Sequence, residues 1–157
     1  MLAQEIDKLN HRESIPINPT NPLMNIARII RTLEELNNSS TCEEKQVSAV
    51  LIRDGRIILT ATNGIPYGLG VCNKENHDSK KGCLHAEPAL VTKAARLGIS
   101  TYGSIMCVEY SPCFKCAEEI IAAGIKAVGY RKKHSDLSGL ELLTKAGITI
   151  IKLEKSR

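Results

Sequence analysis

Hydrophobic positions follow two spacings along this chain, one typical of helices and one typical of strands. A helical spacing runs from Leu23 to Leu36, and two β-rich runs then flank Asp54-Gly55, the dipeptide of a tight hairpin. Further on, predicted helices at 87–97, 114–123 and 136–146 each end at a glycine and alternate with short apolar strands at 103–110, 125–130 and 148–153. This order predicts an α/β layer fold whose later strands run parallel.

Two segments outside these elements shape the predicted domain organisation. Residues 14–22 contain three prolines, so we expect residues 1–22 to be an arm or linker and residues 23–157 to be a single domain. Residues 64–82 are rich in Gly, Asn and Lys, which predicts a long loop.

Composition narrows the class of protein. With 157 residues, 43% of them hydrophobic, the chain suits one globular domain. A net charge of +4 and only 3% aromatic residues argue against nucleic acid as a partner, since such surfaces are basic and offer stacking platforms. Because no apolar run approaches the length of a membrane span and the N-terminus lacks a signal-peptide pattern, we expect no membrane partner and a cytoplasmic location. In that compartment six cysteines favour metal binding or catalysis over disulfides.

Two short motifs carry the candidate chemistry. His85 and Glu87 stand at the start of one predicted helix, and Cys113 and Cys116 stand at the start of the next. A helix N-terminus stabilises a thiolate, which is the form that binds metal. One histidine and two thiolates give zinc three protein ligands and leave a fourth position for water, as in catalytic sites. Glu87 is then placed to act as the base.

Each of the two motifs, taken alone, has simpler interpretations. A C-x-x-C pair also suits a thioredoxin-like redox site, and the same ligands suit a closed structural zinc site with Glu87 exposed on its helix. The two cysteines also fit unrelated core positions. However, H-x-E followed by P-C-x-x-C is the signature of zinc-dependent deaminases, and the combination is much more specific than either half.

With these motifs, the chain resembles the cytidine and deoxycytidylate deaminase superfamily, and most of all its deoxycytidylate (dCMP) deaminase branch. The resemblance runs from about Leu23 to Leu153 and includes STCEEKQVSAVLIRDGRIILTATNGIPYGLGVC, CAEEIIAAGIKAVGY and GLELLTKAGITIIKL. It implies a three-layer α/β/α cytidine deaminase-like fold with a five-stranded mixed sheet. It also implies a homo-oligomer, either a hexamer or a dimer.

The resemblance implies hydrolysis of dCMP to dUMP and ammonia, within pyrimidine nucleotide metabolism. Glu87 would pass a proton to N3 of the pyrimidine while water adds to C4 and ammonia leaves. The implied zinc ligands are His85, Cys113 and Cys116, and the implied substrate contacts are Asn63, the backbone of Ala86 and the backbone of Ser111. Asn63-Gly64 is, however, also a common turn dipeptide.

One departure bears on the substrate. Ala89 stands where dCMP deaminases usually carry an asparagine, which leaves the zinc chemistry untouched but puts the choice of substrate in doubt. The alternatives are a deaminase of another cytosine-type nucleoside or base, a nucleic-acid deaminase acting on tRNA or single-stranded DNA, and a catalytically silent relative. Candidate contacts for a substrate phosphate are Lys74, Lys80, Lys81 and residues 131–133.

The other cysteines suggest a second metal. Some dCMP deaminases hold a structural zinc with cysteines at similar places, and the resemblance implies such a site at Cys42, Cys72, His77 and Cys83. The alternative is a set of isolated thiols beside a solvated histidine. Cys107 lies in a predicted strand, where it suits a small buried hydrophobic side chain.

Overall fold

The helices and strands alternate much as the hydrophobic pattern predicts. The computed structural model describes residues 25–66, 69–70, 72 and 82–155. In chain order its elements are α1 (Ile26–Asn37), β1 (Ser48–Arg53), β2 (Arg56–Thr62), α2 (Ala86–Arg96), β3 (Ile105–Tyr110), α3 (Phe114–Ala122), β4 (Ala127–Lys132), α4 (Ser138–Lys145) and β5 (Thr149–Lys152). The predicted arm at 1–22 and most of the predicted loop at 64–82 lie outside the described residues.

The five strands form one mixed sheet in the order β2-β1-β3-β4-β5. Strand β1 is antiparallel to both of its neighbours, whereas β3, β4 and β5 run parallel to one another. Asp54 and Gly55 both have positive φ, 51° and 72°, which is the geometry of a two-residue hairpin turn between β1 and β2. The five-stranded mixed sheet and the hairpin are therefore confirmed.

Helices cover both faces of the sheet. On one face, α1 packs Ile30 and Leu33 against Val50 of β1 and Cys107 of β3. On the other, α2, α3 and α4 pack against the opposite side chains of the same strands, including Met106. The three-layer α/β/α architecture is confirmed. Cys107 is buried as predicted, and burial raises the pKa of its thiol to about 12.

Local hydrogen bonds determine where two helices begin. Asn25 accepts a hydrogen bond from the backbone N–H of Arg28 (2.9 Å), so α1 begins at Ile26. Asp136 accepts one from the N–H of Ser138 (2.9 Å), and α4 begins at 138 instead of 136. Among the described residues, no helix combines the length and the apolar character needed to cross a bilayer.

The topology brings the two motifs to one edge of the sheet. Strands β2 and β3 both end there, since each is antiparallel to β1 between them. Beyond β2, Gly64 pairs with Leu84 in an antiparallel bridge whose two hydrogen bonds measure 3.0 and 2.8 Å. This bridge places the start of α2 beside the end of β2, while β3 leads directly into the C-x-x-C turn.

Candidate active site

The first residues of α2 present both functional groups of the H-x-E motif. His85 is the N-cap residue, with extended backbone (φ −68°, ψ 160°) and an exposed side chain. Glu87 lies in the first turn and is buried, with 5% of its surface exposed. Pro88 follows in the first turn, where a backbone N–H has no partner within the helix, so the missing N–H of proline costs no hydrogen bond. His85 thus lies at the exposed end of α2, and Glu87 lies on the side of the protein interior.

The C-x-x-C turn brings two sulfur atoms to the same point. Cys113 is the N-cap residue of α3, and Cys116 lies one turn further on. His85 Nδ1 lies 3.7 Å from Cys113 Sγ and 3.3 Å from Cys116 Sγ, and the three ligand atoms all lie within 4.8 Å of one another. We call these three residues the His85 site.

These distances suit one zinc ion. Zinc bonds of about 2.0–2.1 Å to nitrogen and about 2.3 Å to sulfur, at tetrahedral angles, place the two ligand atoms roughly 3.6 Å apart. The observed separations from nitrogen to sulfur bracket that value. The residues therefore fit the metal. The facing nitrogen is Nδ1, so binding a metal would require the imidazole to release any proton on Nδ1 and keep the one on Nε2.

Electrostatics at the two sulfurs favour a thiolate. The pKa of Cys113 is lowered to about 3, because the thiol of Cys116 and the ring of His85 donate hydrogen bonds to its sulfur. The pKa of Cys116 is raised, first by its hydrogen bond to Cys113 and then by burial. The pKa of His85 is raised chiefly by its hydrogen bond with Cys113. The two cysteines thus differ: the lowered pKa favours a thiolate at Cys113, next to the His85 ring, while Cys116 keeps its proton and donates it to that sulfur.

Glu87 has the properties of a group that exchanges protons. Burial raises the pKa of its carboxyl, while a hydrogen bond from its own backbone N–H and the nearby charge of His85 act in the opposite direction. The carboxyl also lies within hydrogen-bonding reach of Cys116. A carboxyl with a raised pKa, next to a metal site, can accept a proton and return it within one reaction cycle.

The three predicted substrate contacts lie in the segments that carry or adjoin the two motifs. Asn63 is buried, and it forms no turn with Gly64. Its Oδ1 accepts hydrogen bonds from Val47 N–H (2.9 Å) and Ser40 Oγ (2.6 Å), and its Nδ2 donates to the carbonyl of Lys45 (2.5 Å). The amide thus fixes the segment before β1 against the end of β2, and its role toward a substrate stays a prediction.

Ala86 and Ser111 contribute backbone at the same edge. Ala86 is the first residue of α2, where backbone N–H groups have no partner within the helix. Ser111 is buried between β3 and Pro112; its N–H donates to the carbonyl of Lys132 (2.8 Å), and its Oγ accepts from His134 N–H (2.8 Å). Their contacts with a substrate likewise stay predictions.

A lysine that the sequence motifs did not single out lies close to the site. Lys45 Nζ is 4.0 Å from the ring centroid of Tyr110, and Lys132 Nζ is 5.4 Å from it. The charge of Lys45 acts on the pKa of His85, which places it in the electrostatic surroundings of the site. Of the predicted phosphate contacts, Arg131 and Lys132 each lie 3.1 Å from a carboxylate oxygen of Glu109. Lys133 is exposed, and Lys74, Lys80 and Lys81 lie outside the described residues. The sequence motifs did not indicate Lys45, because its place near the site depends on the contact with Tyr110, which is distant in sequence.

Three other cysteines form a second group, which we call the cysteine cluster. Cys42, Cys72 and Cys83 bring their sulfurs within 4.8 Å of one another, with separations of 3.2 Å from Cys72 to each of the other two. Two thiolates on one zinc are about 3.8 Å apart by the same geometry, so the sulfurs would have to move apart by roughly 0.6 Å to hold the ion. His77, the fourth predicted ligand, lies outside the described residues.

Comparison with known proteins identifies the family. The model for the cytidine and deoxycytidylate deaminase zinc-binding region matches residues 24–132, which is more than half of the chain. The chain belongs to this deaminase family. The resemblance inferred from the two motifs is therefore confirmed, and the His85 site lies inside the matched region.

Individual relatives agree with this assignment. The chain is 33% identical to ComE operon protein 2 of Bacillus subtilis, over 73% of this chain and 64% of that protein. It is 30% identical to deoxycytidylate deaminase of Saccharomyces cerevisiae, over 71% of this chain and 39% of that protein. The matched stretch thus spans less than two thirds of either relative.

A solved structure matches the fold over nearly its whole length. The dCMP deaminase of cyanophage S-TIM5, crystallised in complex with dCMP and dUMP, superposes with a TM-score of 0.74. The two chains are 30% identical, over 80% of this chain and 94% of the phage chain. The family fold expected from the sequence is thereby confirmed.

Proposed function

We propose that this protein hydrolyses dCMP to dUMP and ammonia, with His85, Cys113 and Cys116 as ligands of a catalytic zinc ion. The observation that carries the proposal is the convergence of these ligands beside the buried carboxyl of Glu87. A redox pair needs no histidine that converges on both sulfurs, and a closed structural site would not leave its histidine exposed as His85 is.

The arrangement of the site indicates a role for each group in the proposed reaction. When bound, zinc supplies a Lewis acid that makes water nucleophilic near neutral pH. Glu87 would take one proton from the attacking water and deliver it to N3 of the cytosine ring as the water oxygen bonds to C4. It would then pass the remaining hydroxyl proton to the C4 amino group, so that the C4–N bond breaks, the C4 carbonyl forms and ammonia leaves. Its burial keeps bulk water from competing for the proton, and its raised pKa brings it closer to the operating pH. The backbones of Ala86 and Ser111 hold the ring at its carbonyl and amino groups.

A nucleotide, not a nucleoside, is the proposed substrate. Lys45 places an ammonium group over the ring of Tyr110, next to the C-x-x-C turn, and Lys132, which is paired with Glu109, lies near the same ring. A 5′-phosphate is a doubly charged ligand that such groups bind with charge-assisted hydrogen bonds. Asn63, which holds the carbonyl of Lys45, links this anion-binding region to the sugar and base.

The cysteine cluster is the proposed site of a second, structural zinc, with His77 as the fourth ligand. The sulfur of Cys42 accepts a hydrogen bond from the N–H of Lys45 (3.4 Å), and the carbonyl of Lys45 is bound by Asn63. A metal in the cluster would therefore fix the residues proposed to contact the nucleotide. Thiolate ligands at both sites need a reducing compartment, which supports the cytoplasm as the location.

We also propose a homo-oligomer, either a hexamer or a dimer. Phe114 and Leu137 expose 45% and 40% of their surfaces. Phe114 directly follows Cys113, and Leu137 directly precedes the helix that packs on the C-x-x-C turn. A second copy covering them would also restrict access to small substrates. Light scattering at micromolar concentration tests this, since a monomer would contradict it.

Ammonia release measured across several substrates tests the function. We expect dCMP to have the highest kcat/KM, above CMP, deoxycytidine, cytosine and an RNA hairpin. The Glu87→Gln protein, tested in parallel, excludes a contaminating deaminase. Equal efficiency on deoxycytidine would contradict the nucleotide and would implicate Ala89, whereas activity on the RNA hairpin alone would contradict the proposed reaction.

A further inference from the structure

Helix α4 lies directly against the backbone that carries Cys113. Gly139, its second residue, is buried, and a β-carbon there would lie 2.8 Å from both the carbonyl carbon and the carbonyl oxygen of Cys113, and closer still to the carbonyl oxygen of Pro112. These neighbours are backbone atoms, which cannot rotate away as a flexible side chain can. The close approach of α4 therefore depends on the absence of a side chain at this position.

Backbone conformation does not require glycine at position 139. The residue lies within a helix and outside the left-handed region of φ, where alanine is favoured over glycine by about 0.5–1 kcal/mol. Gly147, just past the end of the same helix, is the opposite case: its φ is 77°, and a β-carbon added there would meet no atom within 4 Å. Contact with the C-x-x-C turn, and not conformation, is the physical reason for Gly139.

The backbone that Gly139 touches determines where the Cys113 sulfur lies. The carbonyl of Cys113 accepts the first hydrogen bond of α3, from Ala117 N–H (2.9 Å). Pro112 has a fixed φ, so the turn has few ways to absorb a displacement. A shift of these two carbonyls would therefore move Cys113 Sγ relative to His85, which lies 3.7 Å away.

A chain of hydrogen bonds holds α4 to the same turn. His134 N–H donates to Ser111 Oγ (2.8 Å), and Asp136 N–H donates to His134 Nδ1 (3.1 Å). Asp136 Oδ1 in turn accepts from Ser138 N–H (2.9 Å), at the start of α4. The connection from β4 to α4 is thus bonded to the residue that precedes Pro112, which limits how far the helix can retreat from an added methyl group.

We propose that Gly139 is a positioning residue for the metal ligands. The close approach of α4 holds the Pro112-Cys113 backbone from behind and so fixes the Cys113 sulfur relative to the other two ligands. This inference rests on the proposed zinc at the His85 site. It extends that proposal by assigning a role to a residue that offers no ligand atom and touches no substrate.

The test compares Gly139→Ala with Leu143→Ala in the full-length protein. With Co²⁺ in place of zinc, we expect Gly139→Ala to alter the thiolate-to-metal absorption band and to lower Zn²⁺ affinity, measured against a competing chelator, by at least about tenfold. Leu143 is buried in the same helix, as part of the hydrophobic core that the helices form with the sheet. Its truncation should lower thermal stability while leaving the spectrum unchanged.

Ser111→Ala provides a milder variant if Gly139→Ala does not fold. It removes the hydrogen bond to His134 and should shift the Co²⁺ spectrum in a smaller but measurable way. An unchanged spectrum and affinity in Gly139→Ala would overturn the inference, as would an unchanged spectrum in Ser111→Ala when Gly139→Ala cannot be made. If His85→Ala binds as much metal as the unaltered chain, the proposed zinc site itself is wrong, which is a distinguishable failure.

Discussion

The His85 site and the cysteine cluster use similar ligands in different surroundings. In the cluster, Cys42, Cys72 and Cys83 are all buried, with at most 3% of their surfaces exposed. In the His85 site the histidine is exposed and Cys113 is half-buried, while the ligands stand at the first turns of two helices. A buried set of sulfurs suits a closed structural metal, and a set open on one side suits an ion that must also meet a substrate.

The two groups also differ in what surrounds their sulfurs. Beside the His85 site lies Glu87, a buried carboxyl that can move a proton. In the cysteine cluster, burial is the largest influence on Cys42 and opposes ionisation, yet the N–H of Lys45 and the thiol of Cys72 lower the pKa of Cys42 overall. The comparison teaches that the ligands alone do not distinguish a candidate catalytic metal site from a structural one. Exposure on one side and a neighbouring carboxyl that can accept a proton do.

The largest effect should come from Glu87→Gln, which separates chemistry from metal binding. Glutamine keeps the size of the side chain but cannot shuttle protons, so kcat should fall by roughly 1,000-fold or more, since general acid–base help contributes about 100- to 10,000-fold and one group acts twice. Metal analysis should still find two zinc ions per chain. Activity within a few-fold of the unaltered enzyme would refute the role of Glu87.

What the sequence motifs could predict, and what they could not, depends on whether a feature is local in the chain. The hairpin at Asp54-Gly55 and the positions of His85 and Cys113 at helix starts were predictable, because local turn and helix-start chemistry determine them. The approach of His85 Nδ1 to Cys116 Sγ, the approach of Lys45 to Tyr110 and the contact of Gly139 with Pro112 were not predictable. Those features depend on distances between segments far apart in the chain, which spacing alone does not encode.

Cys42→Ser should affect stability more than chemistry. Loss of one buried thiolate leaves the other two without a full coordination shell, and structural zinc contributes on the order of 10 kcal/mol in small metal-dependent folds. We expect zinc to fall from two ions to one per chain, and the free energy of unfolding to fall by more than about 3 kcal/mol. Cys107→Ser, another buried cysteine, is the matched control, because it should leave the zinc count at two. A stoichiometry of one in the unaltered chain would remove the second site.

Timed chelation should separate the two sites without any substitution. The exposed side of the His85 site gives a chelator access to its metal, whereas the cysteine cluster must open first. We expect one zinc ion to leave at least about tenfold faster than the other, with activity lost in the fast phase and near-native circular dichroism retained until the slow one. A single phase that removes both ions and unfolds the protein together would show that the exposure difference does not govern exchange.

The smallest effect, and the one that tests the link between the sites, should come from Lys45→Met. This substitution keeps an apolar stem against Tyr110 but removes the ammonium group, which lies 4.0 Å from the ring centroid. If that charge binds the 5′-phosphate, KM for dCMP should rise by about five- to tenfold with little change in kcat, and KM for deoxycytidine should not change, because a nucleoside has no phosphate to lose. Lys152→Met is the matched control, since the exposed Lys152 also places its ammonium group over a tyrosine ring, that of Tyr130, at 5.0 Å, and it should leave both constants unaltered. Equal increases in KM for the nucleotide and the nucleoside would contradict a role for this charge in phosphate binding. They would mean that Lys45 acts through its backbone, which bonds to Cys42 and Asn63, so that the cysteine cluster supports the pocket structurally.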